Sequence, residues 1–247
     1  MNARAILRIA GLILLFAAVA PIHIVTKRIF RRSPWPHRFL AAAAWIIGVR
    51  VRLSGRRPGR HTLLVANHTS WLDILIVGSA LRSAFVSKDE LGHPLIHWLA
   101  DQNSTVYVKR THRKGARDQA AAVAKALEGD KPVIIFPEGT TGPGTHLLPF
   151  RSTLLEAAHE AGDKVRVRPV VIDYGDAHAE VSWFDEPGGD NVKRLLGRRG
   201  ILPASVQVLD PLDSHLDRKQ LTHEAREAIA ARLRFKSHPH SPIGSGE

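Results

Sequence analysis

The 247-residue chain contains no cysteine. Disulfides, thiolate metal sites and cysteine nucleophiles are therefore excluded. Aromatic residues make up only 6% of the chain, and no basic helix interleaves them with lysine or arginine. Nucleic-acid surfaces need such stacking platforms, so no nucleic-acid partner is expected. Acidic residues are few, 23 against 35 Lys and Arg. No acidic cluster is placed to hold Mg²⁺, and neither a metal nor an organic cofactor is expected. A Gly-x-Ser-x-Gly elbow is also missing, which removes the usual lipase or thioesterase reading.

The charge imbalance is the first positive signal. A formal net charge of +12 calls for an anionic partner. Phosphates of coenzyme A, an acidic carrier protein and an anionic membrane face all fit. Mean hydropathy is −0.10, as for a soluble body with one lipophilic end. That end is N-terminal: Ile9 to Val25 carries no charge, close to the lower limit of roughly 17 apolar residues for a span. Arg4 and Arg8 precede it, while Lys27, Arg28, Arg31 and Arg32 follow. The heavier basic flank lies on the C-terminal side, which places the body in the cytoplasm if the segment spans. Ala18-Val19-Ala20 resembles a signal-peptide cleavage site, but Pro21 directly after it argues against cleavage. A second apolar run, Phe39 to Val49, is too short to span and reads equally as an interfacial segment or a core helix. Residues 1–53 are thus expected to anchor the chain to a membrane, residues 54–236 to form one domain, and residues 237–247 to be a flexible tail.

Within the domain, short apolar runs alternate with helical patterns. Leu63–Ala66, Ala84–Ser87, Thr105–Val108, Val133–Phe136 and Val165–Ile172 read as strands, with Val181–Phe184 and Val206–Leu209 as further candidates. Leu72–Leu81, Pro94–Ala100, Gly115–Glu128, Ser152–Ala161 and Ser214–Leu233 read as helices. This order predicts an α/β fold with a mostly parallel central sheet flanked by helices.

Three segments carry candidate chemistry. Asn67-His68-Thr69-Ser70-Trp71-Leu72-Asp73 falls where the first of these strands hands over to a helix. Ligands bind beyond the carboxyl ends of such strands, and imidazole is the side chain suited to proton abstraction near neutral pH. On one continuous helix, five residues would turn Asp73 about 140° away from His68. The two can meet only if His68 precedes the helix, with Ser70 as N-cap and Asp73 at the third helical position. Ser70 and Asp73 also make a simple capping pattern that needs no catalysis. Phe136-Pro137-Glu138-Gly139-Thr140 opens a glycine-rich loop in which Glu138 can accept hydrogen bonds from substrate hydroxyls. Arg110, after the third strand, offers a forked cation for phosphate.

Taken together, these blocks resemble the glycerolipid acyltransferase family, which includes the 1-acyl-glycerol-3-phosphate acyltransferases. Its His, four residues, Asp block is matched by His68 and Asp73. Its Gly, apolar, Arg block is approached by Thr105 to Arg110, with Ser104 in place of Gly. Phe136 to Thr140 matches the third block in full, and Val167-Arg168-Pro169-Val170 is similar to the fourth. Thr141-Gly142 replaces the family's common Arg-Ser. The form Gly-Thr-Thr followed by Leu148-Pro149-Phe150-Arg151-Ser152 resembles a subgroup that includes lyso-ornithine lipid acyltransferases.

The resemblance implies acyl transfer from acyl-CoA or acyl-carrier protein to a lysophospholipid hydroxyl at the cytoplasmic face of a bacterial inner membrane. Lysophosphatidic acid is the first acceptor expected and lyso-ornithine lipid the second. A non-catalytic lipid-binding protein is the alternative of another class. His68 and Asp73 would be catalytic. Arg110, Glu138, Gly139 and Thr140 would bind the acceptor, and amides near Ser70 would serve the oxyanion.

Overall fold

The computed structural model describes residues 2–88, 93–108, 112–162 and 164–233. Arg110 and the expected tail at 237–247 lie outside the described residues.

The chain opens with helix α1 (Ala3–Phe30) and helix α2 (Trp35–Ile47), then strand β1 (Val49–Ser54). The nucleus of the domain follows: β2 (Thr62–Ala66), α3 (Leu72–Leu81), β3 (Ala84–Lys88), α4 (Pro94–Gln102), β4 (Val106–Val108), α5 (His112–Leu127) and β5 (Val133–Ile135). A long loop leads through a 3-10 turn to α6 (Glu156–Glu160) and β6 (Arg166–Asp173). The chain then adds α7 (His178–Val181), α8 (Gly188–Gly197), β7 (Leu202–Val208) and α9 (Arg218–Ala230).

The seven strands form one sheet in the order β1-β7-β6-β2-β5-β3-β4. All pairings are parallel except β6 with β7, so the expected mostly parallel sheet is present. Strand β2 is central, and every one of its residues is buried. That is why it reads as an unbroken apolar run. Leu64 and Ala66 face the core beneath α3, α2, α1 and α8, whereas Leu63 and Val65 face α5, α6 and α9. Its neighbours β5 and β6 bring the loops at their carboxyl ends beside the loop after β2, at one edge of the sheet.

Two segments differ from the sequence expectation. Val181–Phe184 is not a strand: α7 ends at Val181, closed by Ser182 N–H to His178 C=O, and 182–187 is irregular. Its polar groups are drawn onto the catalytic loops instead of a sheet edge. Strand β1 was not expected, and it crosses the anticipated boundary at 53/54 to pair with β7 in register from Val49 with Leu202. The alternation Val49-Arg50-Val51-Arg52-Leu53 is its period-2 signature.

Helix α1 lies against the body along its length. Asn2 caps its first turn through Ala5 N–H. The Arg8 guanidinium donates to the C=O groups of Leu195, Leu196 and Arg198, closing the carboxyl end of α8 where cations are favoured. Further along, Phe16 meets Phe39 and Trp98 edge-on, and His23 is buried between Ser33 and Gln102. The opposite stripe, including Ile6, Leu7, Ile13, Leu14, Val25 and Ile29, is exposed and apolar. This 28-residue helix is the one described helix long and apolar enough to cross a membrane. Helix α2 takes the core reading on one face. Leu40, Ala43, Ala44 and Ile47 are buried, while Trp45 is exposed beneath the Arg50 guanidinium.

Candidate active site

The site begins with Asn67, immediately after β2. Its side-chain amide donates to Ile172 C=O at 2.9 Å and accepts from Ile172 N–H at 2.8 Å. A side chain thereby continues the β2–β6 ladder beyond Ala66 and Val170 while the backbone turns away. That turn frees His68 to leave the sheet.

His68 is held by its backbone from both sides. Its N–H donates to Glu138 Oε1 at 2.7 Å, and its C=O accepts from Gly142 N–H at 2.7 Å. Its ring stacks on Phe136 with centroids 4.2 Å apart. Nδ1 lies 2.8 Å from Asp73 Oδ2. Among the described residues Nε2 has no partner, and the side chain is 18% exposed. The two candidate catalytic side chains are therefore brought together, with His68 before the helix as the spacing required.

Asp73 is fully buried. Helix α3 begins at Leu72, so Asp73 is its second residue and not its third, and Trp71, not Ser70, is the cap. The carboxylate reaches back over the loop. Oδ2 accepts from Thr69 N–H at 2.7 Å and Ser70 N–H at 2.9 Å as well as facing His68. Oδ1 accepts the hydroxyl of Tyr174. A buried carboxylate is tolerable only when its lone pairs are met, and here they are. Of the amides near Ser70 expected to serve an oxyanion, those of Thr69 and Ser70 are committed to Asp73.

Glu138 also departs from its expected role. It is 4% exposed, and its second oxygen accepts Leu148 N–H at 3.0 Å. Both oxygens bind this chain's own backbone, so the carboxylate ties the loop after β5 to the loop after β2 instead of presenting itself to a substrate. Burial raises its pKa above the ordinary 4.5, opposed by the hydrogen bonds from His68 and Leu148. A Cβ on Gly142 would sit 3.0 Å from Glu138 Oε2, and one on Gly144 (φ +76) only 2.5 Å from His178 C=O. Both glycines are needed for this close approach. Thr140 is exposed on the same loop beside Gly139 and is free to meet a ligand.

Tyr174 and the 182–191 segment were not anticipated. Burial and the Asp73 charge push the Tyr174 phenol well above its usual pKa, so it remains a donor. Ser182 Oγ donates to Gly142 C=O, Trp183 N–H to Thr69 C=O, and Thr141 Oγ1 to Trp183 C=O. Buried Asn191 accepts from Trp71 Nε1 at 2.9 Å. The segment thus clips the two loops together.

A histidine poised beyond a parallel strand, backed by a buried carboxylate and open on its other nitrogen, has the geometry that general-base catalysis requires. The acyltransferase family model matches residues 48–173, and the chain belongs to that family. It is an acyltransferase of the glycerolipid type. It is 35% identical over 209 residues to a lyso-ornithine lipid O-acyltransferase of Pseudomonas aeruginosa, covering 81% of this chain and 76% of that one. A 1-acyl-sn-glycerol-3-phosphate acyltransferase of Neisseria gonorrhoeae is 34% identical over 126 residues, 51% of this chain and 49% of that one. The crystal structure of the 1-acyl-sn-glycerophosphate acyltransferase PlsC from Thermotoga maritima shares the fold. Its TM-score is 0.57 at 22% identity, over 92% of this chain and 95% of that one.

Proposed function

We propose that the chain moves a fatty acyl group from an acyl-CoA or acyl-carrier-protein thioester to the hydroxyl of a lysolipid, with lyso-ornithine lipid as the preferred acceptor. The reading rests on one observation, the His68–Asp73 pair with Nε2 open at the mouth of the sheet. His68 Nε2 takes the acceptor's hydroxyl proton as that oxygen attacks the thioester carbonyl. The new C–O bond forms, the C–S bond breaks, and the departing thiolate takes the proton from the imidazolium. Asp73 holds the ring and stabilises its charged form, a contribution typically of about 10²- to 10⁴-fold for the base. Neither a metal nor a cofactor enters this scheme.

The preference for lyso-ornithine lipid reverses the order expected from sequence. It is supported by the Pseudomonas relative, aligned over most of the chain, and by Thr141. That residue stands where the family commonly has Arg, and its hydroxyl is committed to Trp183 C=O. A phosphate monoester calls for more cations than a zwitterionic head group. Lysophosphatidic acid is the second reading, favoured by the Neisseria relative and the complete Phe136–Thr140 block.

The proposed location is supported by α1. A helix bound to the body on one stripe along its length presents the other stripe sideways to lipid, so it lies in the interface instead of crossing it. The basic residues Lys27 to Arg32 favour the anionic cytoplasmic face of a bacterial inner membrane. The test is a transfer assay with labelled donors against both lysolipids. Incorporation into lyso-ornithine lipid, lost in His68→Ala, is expected; labelled phosphatidic acid from lysophosphatidic acid, with no labelled ornithine lipid, would move the assignment to the second reading.

A further inference from the structure

On the proposed membrane docking the acceptor reaches the site from the side of α1 and α2, and the opposite face of the sheet carries a feature the scheme above leaves unused. A cleft of about 610 Å³ lies between α9 and the loop after β5. Its walls include His146, Phe150, Lys219, Thr222, His223 and Arg226. The last four occupy positions i, i+3, i+4 and i+7 of α9, a single helical face. Leu221, Ala225 and Ile229 bury the other face in the core and fix its orientation. No carboxylate is among the described residues lining the cleft.

The fold leaves part of this polar face uncommitted. Among the described residues, Lys219 Nζ and the His223 ring have no hydrogen bond or ion pair. Arg226 has one weak bond to Leu147 C=O, 3.4 Å, and an ion pair with the adjacent Glu227, 3.1 Å, at a side chain 37% exposed. His146 Nδ1 meets only Thr145 Oγ1. A pocket of this size with convergent cations and one aromatic wall suits a phosphorylated organic ligand.

Its position relative to the base narrows the ligand. Leu147 forms part of the wall, the next residue donates its N–H to Glu138 Oε2, and Glu138 Oε1 accepts from His68 N–H. One loop therefore separates the cleft from the base. Helices α1 and α2 lie on one face of the sheet and α9 on the other. A lysolipid held in the bilayer arrives from the first side, so the water-soluble substrate is left the second.

Building on the acyl-transfer reading, we infer that the cleft between α9 and residues 146–152 holds the phosphate end of the pantetheine thioester donor, with Lys219 and Arg226 as its cations and the His223 ring beside them as a hydrogen-bonding group. Coenzyme A and the prosthetic group of a carrier protein share that phosphate.

The test uses the full-length chain in neutral-lipid vesicles, so that loss of surface charge does not alter membrane docking. In the Lys219→Glu/His223→Glu variant, the donor KM should rise about tenfold or more, with a weaker salt dependence. The lysolipid KM should not move. Acyl-CoA, acyl-3′-dephospho-CoA and acyl-carrier protein form the three donor arms. A rise for all three donors supports the shared phosphate, whereas an effect confined to acyl-CoA, which points to the 3′-phosphate, or to carrier protein alone, which points to its protein surface, overturns the assignment. Unchanged KM for all three overturns the inference. Calorimetric titration of coenzyme A and holo-carrier protein provides a readout independent of turnover. Binding to the parent and not to the double variant supports the cleft even if no lysolipid is acylated, which would sink the acyl-transfer reading alone. No binding of either probe by the parent overturns the cleft.

Discussion

Tyr174 donates its hydroxyl to Asp73 from 101 residues further along the chain, so the carboxylate behind His68 is held on both oxygens. The phenol fixes which oxygen is left to face the imidazole. Tyr174→Phe keeps the ring and deletes only the donor. Losing a hydrogen bond to a buried charge should lower stability by about 1.5–3 kcal/mol. The freed carboxylate should also lower kcat by about tenfold, with the lysolipid KM unaltered. Thermal melts and steady-state kinetics check both parts; an unchanged kcat would reduce Tyr174 to a packing residue.

His68→Ala and Asp73→Ala should separate catalysis from folding. His68 is the partly exposed member, so its removal should lower kcat by about 10²- to 10⁴-fold and leave Tm nearly unchanged. Removing Asp73 strands Thr69 N–H, Ser70 N–H and the Tyr174 hydroxyl. A further loss of about 3–5 kcal/mol in unfolding free energy is expected for that variant. Denaturant titration of the two proteins side by side measures the difference.

Glu138→Gln tests whether Glu138 positions His68 or touches the acceptor. A glutamine must turn its NH2 toward one of two backbone donors, which loosens the loop. The expected result is a kcat lower by about tenfold or more with the lysolipid KM unchanged. A KM effect alone would restore the head-group role.

The same residue predicts a pH dependence. Burial raises its folded pKa above the ordinary 4.5, so the folded chain binds this proton more tightly than the unfolded chain does. Its contribution to stability is fully present below about 4.5 and is lost as pH rises through the raised value. Relative to the parent, Glu138→Gln should flatten that part of the Tm-against-pH curve.

Leu7 and Leu14 are 72% and 70% exposed on the outer stripe of α1. Converting both to Gln should weaken partition to vesicles on the order of 100-fold, from about 1.5 kcal/mol or more per side chain. Tm should not change, because neither side chain packs on the body. Ala5, Ile9 and Leu12 instead meet the core, so deleting α1 should destabilise the whole domain. Flotation and melting of the two variants distinguish these roles.

Much of this arrangement was legible beforehand. Leu63–Ala66 announced a doubly buried strand by lacking any polar residue, and the five-residue offset required His68 to precede its helix. The sequence was silent where direction mattered. Glu138 in a Pro-Gly loop reads as solvent-facing, and only the adjacency of β2 and β5 shows its oxygens turned inward on two amides. Tyr174 follows a buried strand, but nothing local ties it to a carboxylate so distant along the chain. Asn67 was visible as a neighbour of His68, whereas its amide acts on Ile172, a partner that sheet order alone selects.

The grip of Asp73 on the loop has an evolutionary corollary. Because this acid is also the keystone that lets residues 69 and 70 turn, selection for a folded chain would retain it after turnover had ceased to matter. A descendant that drifted into mere lipid carriage would therefore shed the imidazole first and keep the aspartate. Inactive members of such a lineage are to be recognised at position 68, not at position 73.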